Sequence, residues 1–72
     1  MNKSYVAVIG MINETTTEKV VLKDIAVSAK DHYEAHKIAL FKCNIANNET
    51  VFVIKEANTG IVRFNLSTGF SA

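Results

Sequence analysis

Apolar residues fall into four short runs and one longer periodic segment, with polar stretches between them. From Ser4 to Ile12 the residues Tyr5, Val6, Ala7, Val8, Ile9, Met11 and Ile12 are β-branched, aromatic or small. The run is too short for a typical helix and predicts a first strand. Polar Asn13-Glu14-Thr15-Thr16-Thr17 fits a hairpin loop, and Glu18 to Val27 resumes with Val20, Val21, Leu22, Ile25 and Val27 as a second strand. Lys19, Lys23 and Asp24 break its hydrophobicity, which places it partly in water or at an edge. Thr50 to Lys55 reads as a third strand and Ile61 to Leu66 as a fourth. Between them Glu56-Ala57-Asn58-Thr59-Gly60 supplies a turn, with Gly60 suited to positive φ. The tail from Ser67 to Ala72 is expected to fray, with Phe70 able to fold back onto the sheet.

The periodic segment opens at Asp31-His32-Tyr33-Glu34 and runs through Ala35, Ile38, Ala39 and Phe41. Asp31 can accept from the free N–H groups of a first helical turn, and Glu34 can reach back to the Asp31 amide in a capping box. Ser28, with Asp31 three residues on, is a legal alternative start. The helix is expected to fade near Cys43-Asn44 or Ala46, because Asn47-Asn48 favours a left-handed cap or turn. At 100° per residue, Ala35, Ile38, Phe41, Lys42 and Ile45 are assigned to the sheet-facing side, with the Lys42 stem snorkelling outward. Tyr33 and Leu40 point nearly the opposite way. Ile38 and Phe52 are assigned to the seam between helix and sheet.

These elements predict an α+β fold, an antiparallel four-stranded sheet with one helix packed on one face (ββαββ), with the strand order open. Strands one and three are apolar on both parities: Tyr5, Ala7, Ile9 and Met11 oppose Val6 and Val8, and Val51 and Val53 oppose Phe52 and Ile54. A sheet with one wet face alternates more cleanly, so the second face is expected to need a cover.

Composition narrows the function classes. Seventy-two residues make a single domain, 1–72, near the lower size for folding without a disulfide or metal, and self-association would relieve that pressure. A hydrophobic fraction of 49% with 21% charged residues argues against disorder. Eight basic against seven acidic residues leave a formal charge of +1, so charge does not favour nucleic acid. No apolar stretch approaches the ~20 residues needed to span a bilayer. A single cysteine and an N-terminus unlike a signal peptide give the cytoplasm as the expected compartment.

Candidate chemistry is sparse, and neither catalysis nor a cofactor is expected. Cys43 lies near a helix C-terminus, where the dipole does not favour a thiolate, and reads as a small buried hydrophobe. His32 and His36 have metal-ligand spacing but lack a third ligand in a recognised pattern. The glycines are isolated, so no phosphate-cradling loop exists. What remains is the outer helix stripe of Tyr33, His36, Lys37 and Leu40, read as a protein-binding surface although singly exposed apolar residues are ordinary.

The segment Val27-Ser28-Ala29-Lys30-Asp31-His32-Tyr33-Glu34-Ala35, followed by Ala39, by Thr50-Val51-Phe52-Val53-Ile54 and by Gly60, resembles small phage-encoded inhibitor proteins. In layout it is similar to some type I-F anti-CRISPR proteins with a small sheet and one helix. The resemblance implies a stoichiometric inhibitor that occupies a surface of a host defence complex. The expectation is a non-enzymatic interaction protein, as a homodimer or with its open sheet face covered by a partner. The alternative is a nucleic-acid-binding module stacking bases on Tyr5, Phe52 or Phe64.

Overall fold

β-Branched and aromatic side chains fit a pleated, half-buried surface, and the four runs that carry them are the four strands. The computed structural model describes residues 1–66. Strand β1 spans Lys3–Ile12, β2 Lys19–Ala29, helix α1 His32–Phe41, a 3-10 turn Ile45–Asn47, β3 Glu49–Glu56 and β4 Val62–Asn65. All neighbouring strands are antiparallel in one sheet of order β2-β1-β3-β4. The expected small α+β fold is therefore the observed one, while the expectation for Phe70 lies outside the described residues.

The strand order fixes where the helix must lie. Strand β1 stands between β2 and β3, so the chain leaving β2 has to cross β1 before it can enter β3. Helix α1 makes that crossing. Residues opposite one another on antiparallel strands share a face. Tyr5 faces Val27, Ala7 faces Ile25 and Ile54, and Ile54 faces Phe64. This is the surface under the helix, where Ala35 and Ala39 join Tyr5, Ala7, Val27, Ala29, Val51 and Ile54 in one buried cluster. Small residues on the inner helix stripe let its backbone sit close to the sheet. On the other face Val6 lies opposite Ala26 and Lys55, and Val8 opposite Asp24 and Val53. The second apolar parity is thus diluted by charge, and Val6, Val8 and Val53 are half-buried.

Both neighbours of β1 carry an extra residue at the same level. Leu22 is unmatched where the register passes from Ile9↔Lys23 to Gly10↔Val21, and Phe52 is unmatched where it passes from Val8↔Val53 to Ile9↔Val51. Such bulges increase local twist, and Gly10 sits where the layers close in. A Cβ on Gly10 would meet the carbonyl oxygen of Val20, and would lie 2.6 Å from Cε2 and 2.8 Å from Cζ of Phe52. Phe52 therefore covers Gly10 and lies outside the cluster beneath the helix, which corrects its expected place at the helix–sheet seam. Ile38 does pack against that cluster.

The helix starts at the expected cap and stops sooner than expected. Asp31 Oδ1 accepts from the Glu34 N–H at 2.8 Å. Glu34 reaches one residue further back than a strict capping box, its Oε1 accepting from the Lys30 N–H at 3.1 Å. Ser28, the alternative start, is paired with Ser4 inside the sheet. At the other end Lys42 is the C-cap, its N–H donating to the Ala39 carbonyl at 3.0 Å. Asn44 then caps the separate 3-10 turn through its side chain, and Asn48 ends that turn at φ 59. The left-handed stop at Asn47-Asn48 acts on this turn and not on α1. At the β3–β4 turn Gly60 takes the positive φ its position requires, +73.

Candidate protein-interaction surface

Ending α1 at Phe41 changes which residues it buries. At about 100° per residue, Ala39 lies about 40° round the helix from Ala35, whereas Phe41 lies about 120° away. The buried stripe is Ala35 and Ala39, with Ile38 and Cys43 packed beside it. Ile45, beyond the helix end, is in the 3-10 turn. The sheet-facing positions expected for Phe41, Lys42 and Ile45 are therefore corrected: Lys42 is exposed, Phe41 is 84% exposed and Ile45 80%. The signal for the true face was the spacing of two alanines, which weigh little against a phenylalanine in any hydrophobic count.

Lys37, Leu40, Phe41 and Ile45 line one apolar recess of about 260 Å³. Ile45 also lines a wider groove of about 390 Å³ with Ile12, Glu14, Glu49, Thr50 and Leu66. The two concavities meet at Ile45. Val20, Val21 and Leu22 on β2 and Ile61 and Val62 at the β3–β4 turn are also exposed, but none exceeds 62%.

The outer stripe read from the sequence divides between two places. Tyr33 and Leu40 are exposed as expected, and Leu40 and Lys37 border the Phe41 recess. Tyr33 and His36 line a separate small recess with His32, Arg63 and Phe64. There the His36 ring centroid lies 4.6 Å from that of Phe64, and His32 lies 4.1 Å from Tyr33. The two histidines thus rest on different aromatic rings. Among the described residues no three His, Cys, Asp or Glu side chains are grouped to hold a metal.

Burial holds the His36 imidazole below its ordinary pKa of 6.5. The folded state then binds fewer protons than the unfolded chain, so this group's contribution to stability is present above pH 6.5 and is lost as pH falls below it. Urea titrations above and below pH 6.5 are expected to show a loss of stability on acidification that shrinks in His36→Gln. An undiminished loss would assign the effect to another group.

Glu56, Arg63, Thr59 and Cys43 are occupied structurally. Arg63 Nε donates to Glu56 Oε2 at 2.6 Å and Thr59 Oγ1 donates to Glu56 Oε1 at 3.3 Å, closing the β3–β4 hairpin. Arg63 holds the Glu56 carboxyl below the usual range. Cys43 is half-buried, and its thiol donates to the Ala39 carbonyl at 3.4 Å. Burial first, and Glu49 second, raise its pKa against a smaller opposing effect of Lys23. A nucleophile needs the reverse.

The aromatic residues considered for base stacking do not form an open platform. Tyr5 and Phe52 are buried, and Phe64 is half-buried against His36. No helix among the described residues is long and apolar enough to cross a membrane. Set against protein-family models, curated proteins and solved structures, the chain matches none of them.

Proposed function

We propose that the protein is a non-enzymatic protein-interaction module whose contact surface is the recess of Lys37, Leu40, Phe41 and Ile45 with the groove beside it. The observation that carries this reading is the near-complete exposure of Phe41 and Ile45 side by side on a concave surface. Burying such a side chain is worth roughly 1.5–3 kcal/mol, a large amount for a domain of 72 residues. Leaving two of them in water adds little to the isolated fold and strengthens any complex that covers them. An apolar centre with a lysine at its rim also has the anatomy of an energetic hot spot. Tyr33 extends the surface along the outer side of α1.

Two forms of interaction fit this surface: an inhibitor that occupies part of a host complex, as the resemblance to phage-encoded inhibitors implies, and a homodimer. A cytoplasmic setting suits the free thiol of Cys43. The nucleic-acid alternative draws no support from Tyr5, Phe52 or Phe64, since base stacking needs open ring faces.

Affinity capture from cells that naturally make the protein tests the reading, with wild type compared against a Phe41→Ala, Ile45→Ala double variant. Proteins bound specifically by the wild type are expected to fall about thirtyfold in affinity for the variant, ~2 kcal/mol. Capture undiminished by the double substitution would overturn the assignment of this surface. Retention of nucleic acid that collapses at moderate salt would replace it with the alternative.

A further inference from the structure

Ile45 stands where two concavities with opposite rim charge meet. On one side Lys37 borders Leu40 and Phe41. On the other Glu14 and Glu49 border Ile12 and Leu66. A surface with an apolar centre, a cation to one side and carboxylates to the other is complementary to itself when rotated by half a turn. Two-fold contacts use that arrangement, because each patch meets the same patch on its partner in reverse.

We infer that this surface binds a second copy of the chain about a two-fold axis at Ile45. Lys37 of each protomer then faces the partner's Glu14, and Phe41 enters the groove between the partner's Ile12 and Leu66. The inference rests on the function proposed for this surface and names its occupant. A net charge of +1 sets little general repulsion between copies. Of the two acids, Glu49 already accepts from the Asn44 N–H at 3.1 Å. Glu14, exposed in the β1–β2 turn, is therefore the one whose charge reversal leaves the fold alone.

Sedimentation velocity over a range of concentrations tests the dimer, with far-UV circular dichroism confirming that each variant is folded. Wild type is expected to show a concentration-dependent dimer, and Phe41→Ala a monomer. Lys37→Glu and Glu14→Lys should each dimerise about tenfold more weakly, because like charges then face one another. An equimolar mixture of the two should recover wild-type association, each supplying the charge the other lacks. A mixture no stronger than its components would overturn the two-fold arrangement. A wild type that stays monomeric would overturn the second copy as occupant, and would leave the proposed function standing if a foreign protein still bound through Phe41. A dimer that survives Phe41→Ala would overturn the inference and count against this surface as the contact site.

Discussion

Ile54→Ala is expected to remove a large share of the stability of the fold and to lower its unfolding midpoint sharply. Ile54 is fully buried in β3, opposite Ala7 on one side and Phe64 on the other, in the cluster that α1 covers. Both sheet neighbours are fixed by strand pairing, so the space left by the missing side chain closes only in part. Substitutions of this kind cost about 2–5 kcal/mol. At 0.05–0.15 kcal/mol per residue, a domain of 72 residues has a total stability of about 4–11 kcal/mol. Urea unfolding followed by circular dichroism is the check. An unchanged midpoint would remove Ile54 from the core and with it the packing described for α1.

Gly10→Ala is expected to be nearly as damaging, although it adds only one methyl group. The new Cβ would press on the Val20 carbonyl oxygen and on two ring carbons of Phe52, at 2.6 and 2.8 Å. Phe52 has little freedom to retreat, being buried at a bulge whose carbonyl accepts from the Leu66 N–H at 2.8 Å. The Val20 oxygen is backbone and moves only if β2 shifts. Overpacking at such a site costs roughly 1–3 kcal/mol, and more where backbone is the obstacle. A companion Phe52→Leu substitution should restore part of the loss by opening space on one side. If Gly10→Ala melts like the wild type, the close approach of β2 and Phe52 to β1 is absent in solution.

How much of this was legible beforehand differs from element to element. The strands announced themselves through β-branched runs, α1 through Asp31 and Glu34, and the last hairpin through Gly60, because these signals act within a few residues of the backbone they shape. Strand order depends on which hairpin edges meet, a long-range outcome that no local pattern carries. The paired bulges at Leu22 and Phe52 had one trace, a lone glycine inside a strand, which commonly marks a bulge or a close approach. The face of α1 was misread for a physical reason. The inner stripe is built from Ala35 and Ala39, so the helix buries little side chain and sits close to Tyr5 and Ala7, while Phe41 points to water. Of the outer stripe, Tyr33 and Leu40 are exposed, and Lys37 and Leu40 border the exposed recess. Ile45 is misplaced by extending the helix past its C-cap at Lys42, and Phe41 by the small weight of two alanines against a phenylalanine.

The central claim is that Phe41 and Ile45 are spare to the fold and available to a partner. Thermal melting of the Phe41→Ala, Ile45→Ala double variant, at a concentration low enough to keep the wild type monomeric, tests it most directly. Removing two core residues from a domain this small would lower the midpoint by tens of degrees, since each 1 kcal/mol shifts it by ~4–8 °C. The account predicts a midpoint within about 4 °C of the wild type; a fall of tens of degrees would show that both side chains belong to the core and that the surface described here does not exist in solution.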